Sequence, residues 1–269
     1  MKVNANGINI NYESTGSGKC LVLIHGFSDN LTMWPEQVRE LSKNYRVLTY
    51  DVRGHGETET PEGDFSMELF ADDLEALLRT LDIGQACVLG YSMGGRIALT
   101  LALKYPEKVN GLVMANSGIM DPNVQPSEEQ MAEMTQRREQ MAKMYESGDI
   151  NVIAEAMAEN SLSPGLKEKD PALFEKYKAV KLRNNLQYYQ AIMQGMMAAM
   201  ADPPDLGQVK CPVLIIAGEH DAFMALDTVK SMEERFKDST SVIFPTGHAS
   251  AIEVPDQFNK AVSEFMERL

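Results

Sequence analysis

Three side chains far apart in this sequence make up the set needed to turn a hydroxyl into a nucleophile: Ser92, Asp221 and His248. A serine hydroxyl attacks poorly at neutral pH. It needs a base, an acid that orients the base, and donors for the oxyanion it creates. Ser92 stands in Val88-Leu89-Gly90-Tyr91-Ser92-Met93-Gly94-Gly95-Arg96-Ile97-Ala98-Leu99, where Gly90-x-Ser92-x-Gly94 joins a short apolar run to an amphipathic one. That is the sequence form of a nucleophile elbow, a tight strand-to-helix turn with serine at its apex. Small residues two positions to either side keep the neighbouring backbones from clashing, and the first-turn amides and helix dipole sit behind the hydroxyl. Gly-x-Ser-x-Gly alone is a weak signal; the flanking strand and helix patterns supply the context it requires.

The base and the acid follow downstream. His248 lies in Pro245-Thr246-Gly247-His248-Ala249, after the strand-like Ser241-Val242-Ile243-Phe244. Asp221 lies in Ala217-Gly218-Glu219-His220-Asp221, after the apolar Val213-Leu214-Ile215-Ile216. Both sit on loops leaving the carboxyl ends of strands, where open α/β sheets place their ligands. Asp121, beyond the Ala115-Asn116 strand end, is a rival acid, and Glu219 and Asp227 are weaker rivals; the better-formed strand-end context favours Asp221.

Upstream, Leu21-Val22-Leu23-Ile24 reads as a buried strand running into His25-Gly26-Phe27. That loop is the expected source of a second oxyanion donor: the Phe27 amide would pair with the amide of Met93, and Gly26 would let the backbone approach the substrate. Gly26, Tyr91 and His25 are therefore candidate substrate contacts, although a histidine at this place more often holds loop backbones together. His55 and His220 would be metal ligands only if partners converged on them, and no ligand-spacing motif is present, so no metal is expected.

The elements that must position these groups alternate. Lys2 to Ala5 and Ile8 to Glu13 flank Asn6-Gly7, a hairpin signal. Helix-like stretches fall at Glu36–Lys43, Met67–Thr80 and Gly94–Tyr105, between the strands Leu21–Ile24, Tyr45–Tyr50, Val88–Leu89 and Gly111–Ala115. Alternation resumes with Val213–Ala217, a helix near Leu226–Phe236, Ser241–Phe244, and a last helix with Phe258, Val262, Phe265, Met266 and Leu269 on one face. This order predicts an α/β fold, a mostly parallel central sheet flanked by helices. Residues 118–206 break the pattern with helical periodicity punctuated by Pro122, Pro126, Pro164 and Pro171. They read as a helical lid inserted into a core made of 1–117 and 207–269.

The inserted stretch is rich in methionine: Met120, Met131, Met134, Met141, Met144, Met157, Met193, Met196, Met197 and Met200. Most are expected to pack lid helices together. Those near Met193–Met200, Met196 and Met197 above all, are candidate substrate contacts, since thioethers line adaptable apolar pockets. Gln136-Arg137-Arg138-Glu139 reads as a solvated helix face.

At 269 residues and 44% hydrophobic, the chain can bury one large core or one core with a smaller cap. A formal charge of −14 argues against a nucleic-acid partner, which needs a basic face. The start, Met1-Lys2-Val3-Asn4-Ala5-Asn6-Gly7, lacks a signal-peptide pattern, and no run approaches the length of a membrane span. Cys20, Cys87 and Cys211 each adjoin an apolar strand and read as buried free thiols, so a cytoplasmic setting without a membrane partner is expected. The oligomeric state is left open.

The pieces His25-Gly26-Phe27, Asp51-Val52-Arg53-Gly54-His55-Gly56, Gly90-Tyr91-Ser92-Met93-Gly94-Gly95, Gly218-Glu219-His220-Asp221, Gly247-His248 and Ile252-Glu253-Val254-Pro255 together resemble the α/β-hydrolase superfamily over nearly the whole chain. They look most like its small esterases, enol-lactonases and carbon–carbon bond hydrolases. The resemblance implies a serine hydrolase acting without a cofactor on an ester or lactone of a small, largely apolar molecule, through an acyl-enzyme. The dehalogenases and epoxide hydrolases of this superfamily carry an aspartate where this chain has Ser92. Tyr91 and Arg96 also resemble the menaquinone-pathway synthase that eliminates pyruvate, which makes a lyase or carbon–carbon bond hydrolase the second reading. Against it, the only lid arginines are Arg137, Arg138 and Arg183, with no clear cluster. A ligand receptor that retains the triad is the third reading. Fold does not choose among them.

Overall fold

The computed structural model describes residues 1–124 and 147–269, with 131–132, 135–136, 139 and 143–145 between them. Asn6 and Gly7 both take positive φ, 50° and 77°, as a two-residue hairpin turn requires. They fold β1 (Lys2–Ala5) antiparallel onto β2 (Ile8–Thr15). The next strand, β3 (Cys20–Ile24), has no polar residue on either face and is buried throughout. A strand of that composition needs cover on both sides, as parallel sheets provide. β4 (Arg46–Tyr50), β5 (Ala86–Tyr91), β6 (Val109–Ala115), β7 (Val213–Gly218) and β8 (Ser239–Phe244) complete an eight-stranded sheet in the order β1-β2-β4-β3-β5-β6-β7-β8. Only β1–β2 and β2–β4 pair antiparallel.

Alternate strand residues feed two cores. Val22, Ile24, Val88, Leu112, Met114 and Ile215 pack on one face with α2 (Met67–Thr80) and α3 (Met93–Lys104). Leu21, Leu23, Leu89, Val113, Leu214 and Ile216 pack on the other with α1 (Pro35–Leu41) and the C-terminal helix Pro255–Glu267. Ser66 caps α2 by accepting the Leu69 amide at 3.1 Å. The sequence reading of strands and helices holds to within about two residues at their ends. Leu269 lies beyond the last helix and is half-buried, whereas Phe258, Val262, Phe265 and Met266 are buried.

From β3 the chain moves outward to β4 on one side, and β5 then joins β3 on the other. The strand order thus reverses between β3 and β5, and the loops at their carboxyl ends part to leave a crevice, the usual ligand position in open α/β sheets. Between β6 and β7 the chain forms α4 (Ile150–Ser161), α5 (Leu166–Lys169), α6 (Pro171–Lys181) and α7 (Tyr189–Ala201). After β7 come α8 (Leu226–Arg235), α9 (Ser250–Glu253) and α10 (Pro255–Glu267). Pro126, Met134, Met141, Arg137 and Arg138 lie outside the described residues. Among the described residues no helix is long and apolar enough to cross a membrane. Cys20 and Cys87 are buried free thiols, but Cys211 is only half-buried, a departure from the expectation of three buried ones. Burial pushes the Cys20 and Cys211 thiols up to about 11.

The fully buried Phe258 anchors α10 against the sheet. Phe258→Ala should lower unfolding free energy by about 3–5 kcal/mol. Ile243→Ala, at a position 48% exposed, should change it by less than about 0.5 kcal/mol. Urea unfolding of the two variants checks the contrast.

Candidate active site

β5 ends at Tyr91, α3 begins at Met93, and Ser92 between them holds φ 53° and ψ −115°. A non-glycine residue keeps such a conformation only where its surroundings enforce it. Here the Ser92 amide donates to the Ala115 carbonyl at 2.9 Å, and its carbonyl accepts from the Gly95 amide at 3.0 Å. A Cβ at Gly90 would stand 2.0 Å from the Gly94 carbonyl oxygen, and one at Gly94 would stand 2.4 Å from the Ile24 carbonyl oxygen. Glycine at both places is thus a condition of the turn.

The side chain of Ser92 meets His248, whose Nε2 lies 2.8 Å from Ser92 Oγ. On its other side Nδ1 lies 2.8 Å and 2.9 Å from the Asp221 carboxylate oxygens. With Nδ1–H donated to Asp221, the neutral ring presents an unprotonated Nε2 to the hydroxyl. Asp221 also accepts from the Phe223 amide at 2.8 Å, the Met224 amide at 3.1 Å and Asn116 Nδ2 at 3.1 Å. Burial would raise the Asp221 carboxyl; the adjacent His248 and these donors outweigh it and hold the group below its ordinary range. Tyr91 and Phe223 rings flank the imidazole at centroid distances of 5.2 Å and 4.7 Å. Glu253 fixes the histidine loop by accepting the Gly247 amide at 2.9 Å and the Ser163 amide at 3.1 Å, and it also accepts from the Ser163 hydroxyl. Burial raises the Glu253 carboxyl and these donors oppose the rise.

Beside this hydrogen-bonded chain lies a cavity of about 320 Å³. Ser92, His248, Phe27, Met93 and Tyr91 line it. So do Met157, Met193, Met196, Met197 and Met200, and the α7 members of that set follow the spacing of one helix face. Of these five cavity-lining methionines, Met157, Met193 and Met196 also pack in or against the core, as Met144 does. Among the described residues the Phe27 and Met93 amides have no acceptor, so both remain open to a ligand oxygen. A serine, a base with an open nitrogen and two available amides can together support attack on a carbonyl.

His25 and Gly26 do not line the cavity. His25 is fully buried, its Nε2 accepts the Val52 amide at 2.9 Å, and its Nδ1 donates to the Gly26 carbonyl at 2.8 Å. As a substrate contact His25 is thus corrected to a brace between two loops, since both ring nitrogens are occupied. Gly26 is corrected as well: its role is steric, because a Cβ there would stand 2.8 Å from the Tyr91 ring. Asp121, the rival acid, is bonded to Asn123 and does not approach His248. Among the described residues no three histidine, cysteine, aspartate or glutamate side chains come together as a metal site would need. Asn116 and Phe223 carry no sequence signal that marks them as site residues, and Glu253 is marked only as part of the Ile252–Pro255 motif, without a role. Nor do Asp29 and Ser161, which also line the cavity. For the buried Lys181 a signal exists: with Phe174 and Tyr177 it follows helical spacing on a buried face.

Comparison with known proteins gives the same architecture. The sequence model of a family described as alpha/beta hydrolase fold matches residues 19–255. The chain is 30% identical to 3-oxoadipate enol-lactonase 2 of Acinetobacter baylyi, over 99% of this chain and 96% of that protein. It is 24% identical to the 2-hydroxy-6-oxo-6-(2'-aminophenyl)hexa-2,4-dienoic acid hydrolase of Metapseudomonas resinovorans, over 99% of this chain and 90% of that one. Among solved structures, a thermophilic esterase from Thermogutta terrifontis in a malate-bound form superposes with a TM-score of 0.84 at 29% identity, covering 100% of this chain and 98% of that one.

The loop histidines set an acid limit on stability. Burial, foremost, lowers His25 to about 4 and His55 to about 3, while the unfolded chain takes up these protons near 6.5. The unfolded state therefore binds more protons between those limits, so stability is lost as pH falls below about 6.5. The urea midpoint should be lower at about pH 5 than at about pH 7.5. His55→Gln should show a shallower dependence over the same interval.

Proposed function

The chain belongs to the alpha/beta hydrolase fold family, and we propose that within it this protein is a serine hydrolase that cleaves a carboxylic ester or lactone through an acyl-enzyme. The observation that carries the reading is the continuous chain from Ser92 Oγ through His248 to Asp221, with 2.8 Å at its reacting end. Its similarity to an enol-lactonase and an esterase supports the same class of bond.

In the proposed cycle His248 Nε2 takes the Ser92 proton as the hydroxyl attacks the substrate carbonyl. The charge that develops on the carbonyl oxygen falls to the Phe27 and Met93 amides; one such donor is worth about 3–4 kcal/mol in related chemistry. The imidazolium then gives its proton to the departing alcohol or enol oxygen. In the second half His248 activates water, which releases the acid and restores Ser92. Asp221 stays ionised and fixes the histidine tautomer throughout. Residues 118–206 serve as a lid over the core of 1–117 and 207–269, and the α7 methionines give the acyl group an adaptable apolar wall. No cofactor enters this cycle.

One observation favours a variant of the second reading, a carbon–carbon bond hydrolase or lyase acting on an acidic substrate. Arg96 lines the cavity, donates to the Gly118 carbonyl at 2.8 Å, and has no carboxylate partner among the described residues. Burial lowers it to about 10. A substrate carboxylate would answer that charge. Comparing a neutral p-nitrophenyl ester with an ester of a dicarboxylic acid separates the readings: the ester reading expects the neutral one to have the higher kcat/KM. A receptor would turn over neither.

A fluorophosphonate should label Ser92 stoichiometrically, and Ser92→Ala should abolish labelling and lower turnover by several orders of magnitude. Asp221→Asn should lower kcat by roughly 10³–10⁴-fold by favouring the wrong tautomer, while Asp121→Asn leaves it within about twofold. Equal losses at the two aspartates would rule out Asp221 as the acid that orients His248. Met196→Ala combined with Met197→Ala should shift KM and acyl preference without affecting labelling, read by a chain-length series of p-nitrophenyl esters.

A further inference from the structure

The turn that carries the Phe27 amide is held from the inserted helices. The Asp29 amide closes it onto the Gly26 carbonyl at 3.2 Å, and its third residue, Ser28, has φ 65°. Glycine or asparagine normally takes such a place, so something must hold serine there. Asn184 Nδ2 donates to the Ser28 carbonyl at 2.8 Å. Lys181 Nζ donates to Asp29 Oδ1 at 2.9 Å and to Ser28 Oγ at 3.3 Å. Tyr177 OH donates to Asp29 Oδ2 at 3.3 Å and accepts from Lys181 at 3.1 Å. Asn30 Nδ2 donates to the Val180 carbonyl at 2.7 Å. Lys181 is 1% exposed and Asp29 is likewise 1% exposed, so this is an ion pair wholly inside the protein.

A buried lysine–aspartate pair is a poor device for stability alone, because desolvating both charges cancels much of their attraction. Its place argues for another role. Lys181 is the last residue of α6, where the helix dipole favours a cation. Asp29 lies two residues from Phe27, and both line the cavity.

We propose that the Lys181–Asp29 pair is a positioning element that fixes the oxyanion turn from the inserted segment, with Lys181 as the positioning residue. The proposal rests on the serine-hydrolase reading, since it assigns the Phe27 amide to the oxyanion. Substrate binding in the ground state does not depend on that amide; stabilisation of the transition state does. Loss of the pair therefore acts on kcat.

Lys181→Met should lower kcat roughly 10- to 100-fold, with KM for a short-chain p-nitrophenyl ester moving less than about threefold. Inhibition by a trifluoromethyl ketone, which becomes an oxyanion when a serine adds to it, should weaken by the same factor as kcat. Asp29→Asn combined with Lys181→Met leaves no charge buried alone, so its thermal midpoint should return toward that of the unaltered protein while kcat stays low. Recovery of kcat together with the midpoint, or a rise in KM with kcat unchanged, would overturn the proposal. Lys181→Gln, closer in shape, carries the same test where the methionine variant does not fold. Fluorophosphonate labelling of the unaltered protein keeps the two ideas apart. No labelling means that the serine reading fails. Labelling with an unaffected kcat in Lys181→Met means that only the positioning role fails.

Discussion

Where β5 enters α3, two stretches of backbone pass so closely that no side-chain carbon fits between them. Gly90 abuts the Gly94 carbonyl, and Gly94 in turn abuts the Ile24 and His25 carbonyls at the end of β3. This contact has two consequences. It holds Ser92 in a strained backbone conformation, φ 53° and ψ −115°, at the apex of the turn. It also sets the His25–Phe27 loop against the first turn of α3, which brings Phe27 and Met93 to one cavity. Sheet order makes the contact available, because β3 and β5 are neighbours at the point where the strand order reverses.

The remaining loops are held to that fixed point by polar ties. His25 braces the β3 loop to the β4 loop through Val52, and burial favours its neutral ring. Glu253 holds the histidine loop and the Ser163 backbone together. Asn116, itself at φ 47°, links the end of β6 to Asp221. Each tie spans elements far apart in sequence, so the geometry at Ser92 depends on the assembled fold and not on any local segment.

That dependence explains what the sequence could and could not reveal. Ser92 directly follows β5, and Asp221 and His248 lie three and four residues beyond β7 and β8; strands buried throughout, as β5 and β7 are, are the most legible elements in a chain of this kind. Strand ends are less so: β8 begins at Ser239, two residues ahead of the strand-like Ser241–Phe244, because pairing with β7 continues through Ser239 and Thr240. The sequence favours a loop brace for His25 over a substrate contact, and the partners on both ring nitrogens leave only the brace. The Lys181–Asp29 pair joins residues 152 apart, and nothing in either local sequence names the other. Periodicity placed the α7 methionines on one helix face, but only the assembled structure turns that face to the cavity.

Covalent acylation of Ser92 during turnover is the step on which the proposed mechanism stands or falls. Rapid quenching of the protein with a slowly deacylating p-nitrophenyl ester, followed by intact-mass measurement and peptide mapping, tests it directly. A single acyl group should be found on the peptide containing Ser92, formed at least as fast as steady-state turnover. Steady turnover with no acyl group on the protein at any time, or with the group on another residue, would contradict the mechanism.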